Sequence, residues 1–339
     1  MDPLTQGALG AALPLATRGR RFAALAGAVG FAGGMAADLD VLIRSAADPL
    51  LFLEYHRQFT HSLAFVPVGG LICAAALWAL FRGRLPVGFA HVWLFCALGY
   101  GTHGLLDAAT SYGTMLFWPF SDARVAFSLV SVVDPLFTLP VLALVVTGMV
   151  RGSGRWGRLA LAWAAVYLAL GALQHNRALA AGAALAADRG HAPARLEVKP
   201  SFGNLLVWRL VYETADRYHV DALRAGREVR VIPGGTLAKL DVARDFPGLD
   251  PASRQGRDIG RFAVFSDGYL ARDPSRPGHV MDVRYSFLPN GTAPLWSIRL
   301  DPGAGPDAHV TFHTHRRDAA ARLGALWRMI VGAGGQPFR

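Results

Sequence analysis

Four stretches of the chain, Ser62–Phe81, Phe89–Ala108, Val130–Val150 and Leu159–Gln174, are almost free of charge and rich in Leu, Val, Ala and Phe. A helix needs about 20 such residues to cross the hydrocarbon core of a bilayer. Within lipid each backbone N–H and C=O must find its partner inside the segment, which selects the α-helix for runs of this composition. Two weaker segments, Leu4–Ala16 and Phe22–Ala37, precede them and are rich in Gly and Ala, residues that permit close helix packing. The first is short for a full crossing and reads as re-entrant or interfacial.

The 339-residue average of 53% hydrophobic and 17% charged residues conceals two unlike halves. Soluble chains carry close to a quarter charged residues, and that density is reached only from Arg195 onward. The expected fold is an α-helical polytopic membrane domain followed by a mostly β (α+β) soluble C-terminal domain. Its boundaries fall at 1–177 for the membrane domain, 178–194 for an Ala-rich connector and 195–332 for the soluble domain. In the last, Leu205–Tyr212, Tyr218–Leu223, Phe262–Phe265, Val280–Phe287 and Trp296–Leu300 read as strands. Asp318–Val331 reads as a closing amphipathic helix.

The formal charge of +10 is mostly arginine, and its placement matters more than its size. Arg18, Arg20 and Arg21 sit between the first two apolar segments, Arg82 and Arg84 between the next pair, and Arg151, Arg155 and Arg158 between the last pair. Threading the chain through the segments puts all three clusters on one side, which the positive-inside rule makes cytoplasmic. Asp38–His61, Ala109–Leu129 and everything after His175 then lie on the opposite side, so the soluble domain is expected to be extracytoplasmic. The same clustering explains the basic charge without nucleic acid: no basic stripe interleaved with aromatics and no zinc-finger, RRM or helix-turn-helix pattern is present. Cys73 and Cys96 both lie in apolar runs, where cysteine behaves as a small hydrophobe. The N-terminal stretch begins acidic and carries its arginines after its apolar residues, the reverse of a signal peptide.

Ionisable residues at membrane depth are expensive and mark sites. Three groups stand out: Asp38 with Asp40, at the end of the second segment; His56 and His61, leading into the first clear run; and His103 with Asp107, late in the second run. Spacing of four places His103 and Asp107 on one helix face. Imidazole and carboxylate together suit zinc, manganese or iron, and three groups supply enough donors for one divalent metal or a close pair. The threading brings all three to one membrane level. Each group alone has a plainer reading: Asp38 and Asp40 as caps, His56 and His61 as interfacial histidines, His103 with Asp107 as a packing pair. Their convergence favours a metal site.

Weaker candidates surround these. Arg57, between the histidines, suits phosphate or carboxylate, and equally a snorkelling interfacial position. Arg124 suits an anionic substrate group or an ion pair with Asp122. Asp134, before Pro135, suits a helix cap or a partner to a metal ligand. His175 and Arg177 end the last run. His313 and His315 alternate along a strand and share a face; they suit metal binding or a plain surface strand.

The ordered set Asp2-Pro3-Leu4-Thr5 with Gly7 and Gly10, Asp38-Leu39-Asp40, His56-Arg57-Gln58-Phe59-Thr60-His61-Ser62, His103-Gly104-Leu105-Leu106-Asp107-Ala108 and Trp118-Pro119-Phe120-Ser121-Asp122-Ala123-Arg124 resembles the YdjM-like family of bacterial inner-membrane proteins. That family is described as membrane-bound metal-dependent hydrolases. The resemblance covers most of Met1–Val150. It implies an inner-membrane location and a metal centre built from Asp38, Asp40, His56, His61, His103 and Asp107. It also echoes the His/Asp zinc sites of the phospholipase C and single-strand nuclease group, an analogy that points to phosphoester hydrolysis. One departure is Thr5-Gln6, where many relatives have Thr-His; Gln is a poor zinc ligand. The expectation is a hydrolase of phosphoester or ester bonds in a lipid or envelope substrate. The alternative is a non-enzymatic membrane protein with a structural metal or polar cluster and a partner-binding C-terminal domain.

Overall fold

The computed structural model describes residues 1–17, 21–81, 84–301, 303–315, 319–332 and 336–337. Arg18, Arg20 and Arg82 of the sidedness argument, and Asp318 at the start of the expected last helix, lie outside the described residues. The chain divides into two compact units: Met1–Ile43 with Tyr55–Ala172, and Arg44–Glu54 with Leu173–Arg339.

Helices build the first unit: α1 Pro3–Ala16, α2 Ala23–Ala36 continuing as a 3-10 turn over Ala37–Leu42, then, after the short α3 Leu51–Tyr55, α4 Val66–Leu80, α5 Phe89–Ala109, α6 Pro135–Arg151 and the start of α7 Gly154–Asp188. Among the described residues, Ala23–Leu42, Leu63–Leu80 and Gly154–Asp188 are long and apolar enough to cross a membrane. The Phe22–Ala37 segment, weak by sequence, is thus extended by its 3-10 turn to spanning length. The 21-residue α5 falls short of that apolarity, because it carries His91, His103 and Asp107. The Val130–Val150 run becomes helical only at Pro135, where the Asp134 carboxylate caps α6 by accepting from the N–H groups of Leu136 (3.1 Å) and Phe137 (3.3 Å). Helix α1, expected at the interface, is instead buried over most of its length against α2, α5 and α6. Glycine makes that possible: a Cβ on Gly10 would lie 2.6 Å from the Gly34 Cα, so α1 and α2 meet backbone to backbone. A Cβ on Gly99 of α5 would overlap the Gly30 carbonyl oxygen of α2.

The second unit has two antiparallel sheets. One, in the order β1-β2-β3-β4-β9, comprises β1 Arg195–Pro200, β2 Val207–Glu213, β3 Arg217–Ala225, β4 Val229–Ala238 and β9 Gln336–Pro337. The other, in the order β5-β6-β7-β8, comprises β5 Leu270–Arg272, β6 His279–Asp282, β7 Trp296–Arg299 and β8 Thr311–Thr314. Helices α8 Val242–Asp245, α9 Arg254–Phe265 and α10 Ala319–Val331 complete it. Residues 178–194, expected as a connector, remain helical through Asp188, and Ala178, Ala181 and Ala186 pack into a core with Trp208, Leu210 and Tyr212. Phe262–Phe265, expected as a strand, is the end of α9. Four consecutive residues of strand-like composition could not reveal the longer period: Gln255, Asp258, Ile259 and Phe262 are buried at helical spacing behind a Ser253 cap. The segment Arg44–Glu54 joins this unit through Arg261 of α9, which pairs with Asp48 (2.8 Å) and Glu54, and through Phe52 edge-on to Phe312.

Candidate metal centre

The six expected ligands fall in the first unit and separate into an inner four and an outer two. The inner four are Asp38, His61, His103 and Asp107, whose donor atoms all lie within 4.8 Å of one another. Asp38 Oδ1 is 3.4 Å from His61 Nε2 and 3.3 Å from His103 Nε2. Asp107 Oδ2 is 3.2 Å from His61 Nε2 and 3.5 Å from His103 Nε2. Zinc bonds of 2.0–2.2 Å in a tetrahedron require ligand edges of about 3.3–3.6 Å, and these four contacts, at 3.2–3.5 Å, lie close to that range.

Local structure explains the convergence. In a 3-10 turn each residue advances about 120°, so Asp38 and Asp40 project in different directions: Asp38 toward α5, Asp40 toward the 56–61 segment. A Cβ on Gly104 would overlap the His61 carbonyl oxygen. Only glycine lets the 3-10 turn Phe59–His61 lie against α5 between His103 and Asp107.

The surroundings prepare each donor. His103 Nδ1 donates to the Gly34 carbonyl at 2.6 Å, which leaves Nε2 with its lone pair. His61 Nδ1 faces Thr60 Oγ1 (2.9 Å) and Asp40 Oδ2 (3.3 Å), so its Nε2 also points inward. Asp107 Oδ1 accepts from Gln6 Nε2 (2.9 Å), Arg57 (3.2 Å) and the Met1 amine, leaving Oδ2 to the imidazoles. His61 Nε2, His103 Nε2 and Asp107 Oδ2 are buried without a hydrogen-bond partner. Buried polar atoms are rarely left so. Three of them, two imidazole nitrogens and a carboxylate oxygen, facing one point form a donor set that suits a divalent cation. Three buried or half-buried carboxylates face one arginine and the Met1 amine, so the acidic groups outnumber these two cations.

Asp40 and His56 stand outside this ring. Asp40 Oδ1 contacts His56 Nδ1 at 2.8 Å, and Oδ2 accepts from the Arg57 N–H (3.0 Å) and Thr60 Oγ1 (2.9 Å). Its nearness to His61 makes it an orienting carboxylate for that imidazole. Asp38, Asp40 and His56 also form a second, more open group that shares Asp38 with the first.

Arg57 is buried, donating to Thr110 Oγ1 at 3.0 Å and stacking on Tyr112, rather than snorkelling. Its backbone holds φ of 62°, an unfavourable value for a side chain, fixed by the Asp40 bond on one side and by Met115 N–H to its carbonyl on the other. Arg124 reaches the His56 carbonyl at 3.5 Å, and Asp122 is exposed. Asp134 is a helix cap whose carboxylate also accepts from Tyr167 (2.9 Å). His175 packs on Trp208 in the second unit. Sequence reasoning did not assign Gln6, the Gly34 carbonyl or Thr60. Gln6 and Thr60 lie within the motifs; the carbonyl has no side-chain signal at all.

Comparison with known proteins identifies the family of this part of the chain. The profile of the family described as YdjM inner membrane protein matches residues 1–178. The uncharacterized protein YfhP of Bacillus subtilis (strain 168) is 30% identical over 122 residues, 36% of this chain and 36% of that protein. The inner membrane protein YbcI of Escherichia coli (strain K12) is 40% identical over 73 residues, 20% of this chain and 39% of that protein. The chain thus covers little more than a third of the length of these relatives. No solved structure matches.

Proposed function

Because the chain belongs to the YdjM inner membrane protein family, we propose that Asp38, His61, His103 and Asp107 hold a divalent metal ion, zinc foremost, and that the centre hydrolyses a phosphoester or ester bond at the membrane surface. The observation that carries the metal assignment is the set of buried, unpartnered His61 Nε2, His103 Nε2 and Asp107 Oδ2, gathered with Asp38 Oδ1 within 4.8 Å of one another. A bound ion would supply Lewis acidity, lowering the pKa of water and polarising a phosphoryl or acyl oxygen.

The chain's own groups supply the rest. Asp40 and Gly34 hold the two imidazoles in the ligating tautomer. Arg57, against Asp107, and Arg124, at the His56 carbonyl, bring positive charge for an anionic substrate group. Of the inner four, Asp38 alone has appreciable side-chain exposure, 18%, and gives the site its approach. Phe117, Phe120 and Phe127 of the following loop are exposed. Exposed aromatics suit a membrane interface, which favours a lipid or another envelope molecule as substrate. The arginines at 21, 84, 151, 155 and 158 favour a cytoplasmic face for their loops and an extracytoplasmic one for residues 195–332.

A second reading rests on one observation: four protein donors lie within 4.8 Å of one another, the ligand count of structural zinc sites. In that reading the metal fixes the helices, and the C-terminal unit binds a partner.

The test is metal analysis of the tag-free protein in detergent, repeated with His61→Ala and His103→Ala. The variants are expected to hold one firmly bound ion fewer than the wild type; a wild type that holds no more metal than the variants sinks the proposal. Cobalt substitution separates the readings. A spectrum that shifts on adding phosphate, with turnover on a phosphoester and ester panel, supports hydrolysis. A spectrum indifferent to anions, without turnover, supports the structural role. Alkaline phosphatase fused after the last residue tests sidedness: activity is expected, and its absence with an active cytoplasmic reporter overturns the orientation.

A further inference from the structure

A second group of histidines lies in the soluble unit. Register puts it on one sheet face. Ser297 of β7 pairs with Met281 of β6 and with His313 of β8. His279 lies two residues before Met281, and His315 two after His313, so both repeat the same face. The ladder continues to His315, whose N–H donates to the Leu295 carbonyl at 2.8 Å. His279, His313 and His315 therefore crowd around one buried serine.

Their rings lie near one another, while their donor nitrogens, unlike those of the first centre, do not converge within 4.8 Å and are held by neighbouring hydroxyls. The His279 ring centroid lies 5.1 Å from that of His313 and 6.0 Å from that of His315. Imidazoles bound to one ion at 2.0–2.1 Å place their centroids about 5–5.5 Å apart. His279 Nδ1 and His315 Nε2 each lie 2.8 Å from the Ser297 hydroxyl, and His313 Nε2 lies 2.9 Å from Thr311 Oγ1. These contacts hold the rings together, yet each is a hydroxyl bond that a ring can exchange for a metal bond by turning about Cβ–Cγ.

The protonation state suits ligation. Burial, with the neighbouring His313, holds His279 below its ordinary value. Burial, with Arg276 and His279, does the same for His315. Among the described residues, the charged groups facing the cluster are Asp273, Arg276 and Arg299. Asp273 is already engaged by Arg276 at 2.7 Å and by Ser275, so no carboxylate among them is free to charge the imidazoles. Neutral imidazole is the form that binds metal.

We propose that His279, His313 and His315 form a three-imidazole site for a late transition-metal ion, cupric or zinc, on the β6–β8 sheet face. Three nitrogens and no resident carboxylate favour these ions over magnesium or calcium. The site stands independently of the hydrolase reading.

Copper EPR tests it on the tag-free full chain in detergent, with His61→Ala and His103→Ala in place to disable the first centre. One equivalent of Cu²⁺ is expected to give hyperfine structure from three imidazole nitrogens. Adding His279→Gln with His315→Gln is expected to abolish that signal and weaken copper binding roughly tenfold or more, with circular dichroism confirming the fold. A spectrum without three nitrogens before those changes overturns the proposal, whatever the folding of later variants. So does a three-nitrogen spectrum that survives them. Loss of zinc from the first centre alone bears only on the hydrolase reading.

Discussion

Asp40→Asn is the most informative single change, because Asp40 was expected among the ligands and, in the proposed centre, stands behind His61. Its carboxylate serves His56 Nδ1 at 2.8 Å, the Arg57 N–H at 3.0 Å and Thr60 Oγ1 at 2.9 Å, with His61 Nδ1 at 3.3 Å. An asparagine of the same shape keeps one acceptor oxygen and turns an N–H₂ group toward groups that also donate. It therefore loses at least one charge-assisted bond and the negative charge that favours His61 as a donor. Removing such an orienting partner costs roughly 10–100-fold in metal affinity, about 1.4–2.7 kcal/mol. Removing a direct ligand, as in His103→Ala, costs more. The assay is competition for zinc against a chromophoric chelator at neutral pH in detergent, with thermal unfolding of the metal-free proteins as the control for folding. Affinity for Asp40→Asn between those of wild type and His103→Ala is expected. Affinity within twofold of wild type would refute the orienting role, and a loss equal to His103→Ala would move Asp40 into the ligand ring.

Gly104→Ala drives a methyl into the His61 carbonyl; overpacking of this kind costs about 1–3 kcal/mol. Thermal stability and zinc affinity should fall together, and an unchanged melting temperature would contradict the close approach. Tyr167→Phe takes the hydroxyl from the buried Asp134 carboxylate and should cost about 1–3 kcal/mol. Zinc affinity should not change, which makes it the control for damage to the helical unit; a drop in affinity would argue against that separation. The soluble unit should lose stability in acid. His279 and His315 titrate below 6.5 when folded, so the unfolded chain takes up protons first. Stability is full above about pH 6.5 and declines as the pH falls below it. Urea titrations at pH 7.5 and 5.5 check this, and the decline should shrink in His279→Gln with His315→Gln; equal midpoints at the two pH values for the parent would refute it.

The helical half was legible because lipid-compatible composition leaves few alternatives, and His103 with Asp107 because four residues along a helix is a fixed rotation. The 3-10 turn over Ala37–Leu42 was not legible. It depends on tertiary packing, yet it turns Asp38 toward His61 and His103 and Asp40 toward His56 and Thr60. Nor was the Gly34 carbonyl legible, since every residue carries one and only the crossing of α2 and α5 selects it. In the soluble half, Val207–Glu213 was visible through its continuous apolar and aromatic content. Arg195–Pro200 was hidden by alternating charge, and His279 joined His313 and His315 only through strand pairing that no local pattern encodes.

The glycine contacts among α1, α2 and α5 bear on how such a chain can drift. Gly10, Gly30, Gly34 and Gly99 have neighbouring backbone where a side chain would stand, so even alanine is excluded there. Val68, Leu71 and Ile72 on α4 are exposed and can exchange among apolar residues at little cost. A saturation library of the helical half would therefore divide by helix face, with a nearly immutable seam and freely varying flanks. Within that seam, Gly34 is constrained twice: its missing side chain admits α1, and its carbonyl fixes the imidazole of His103.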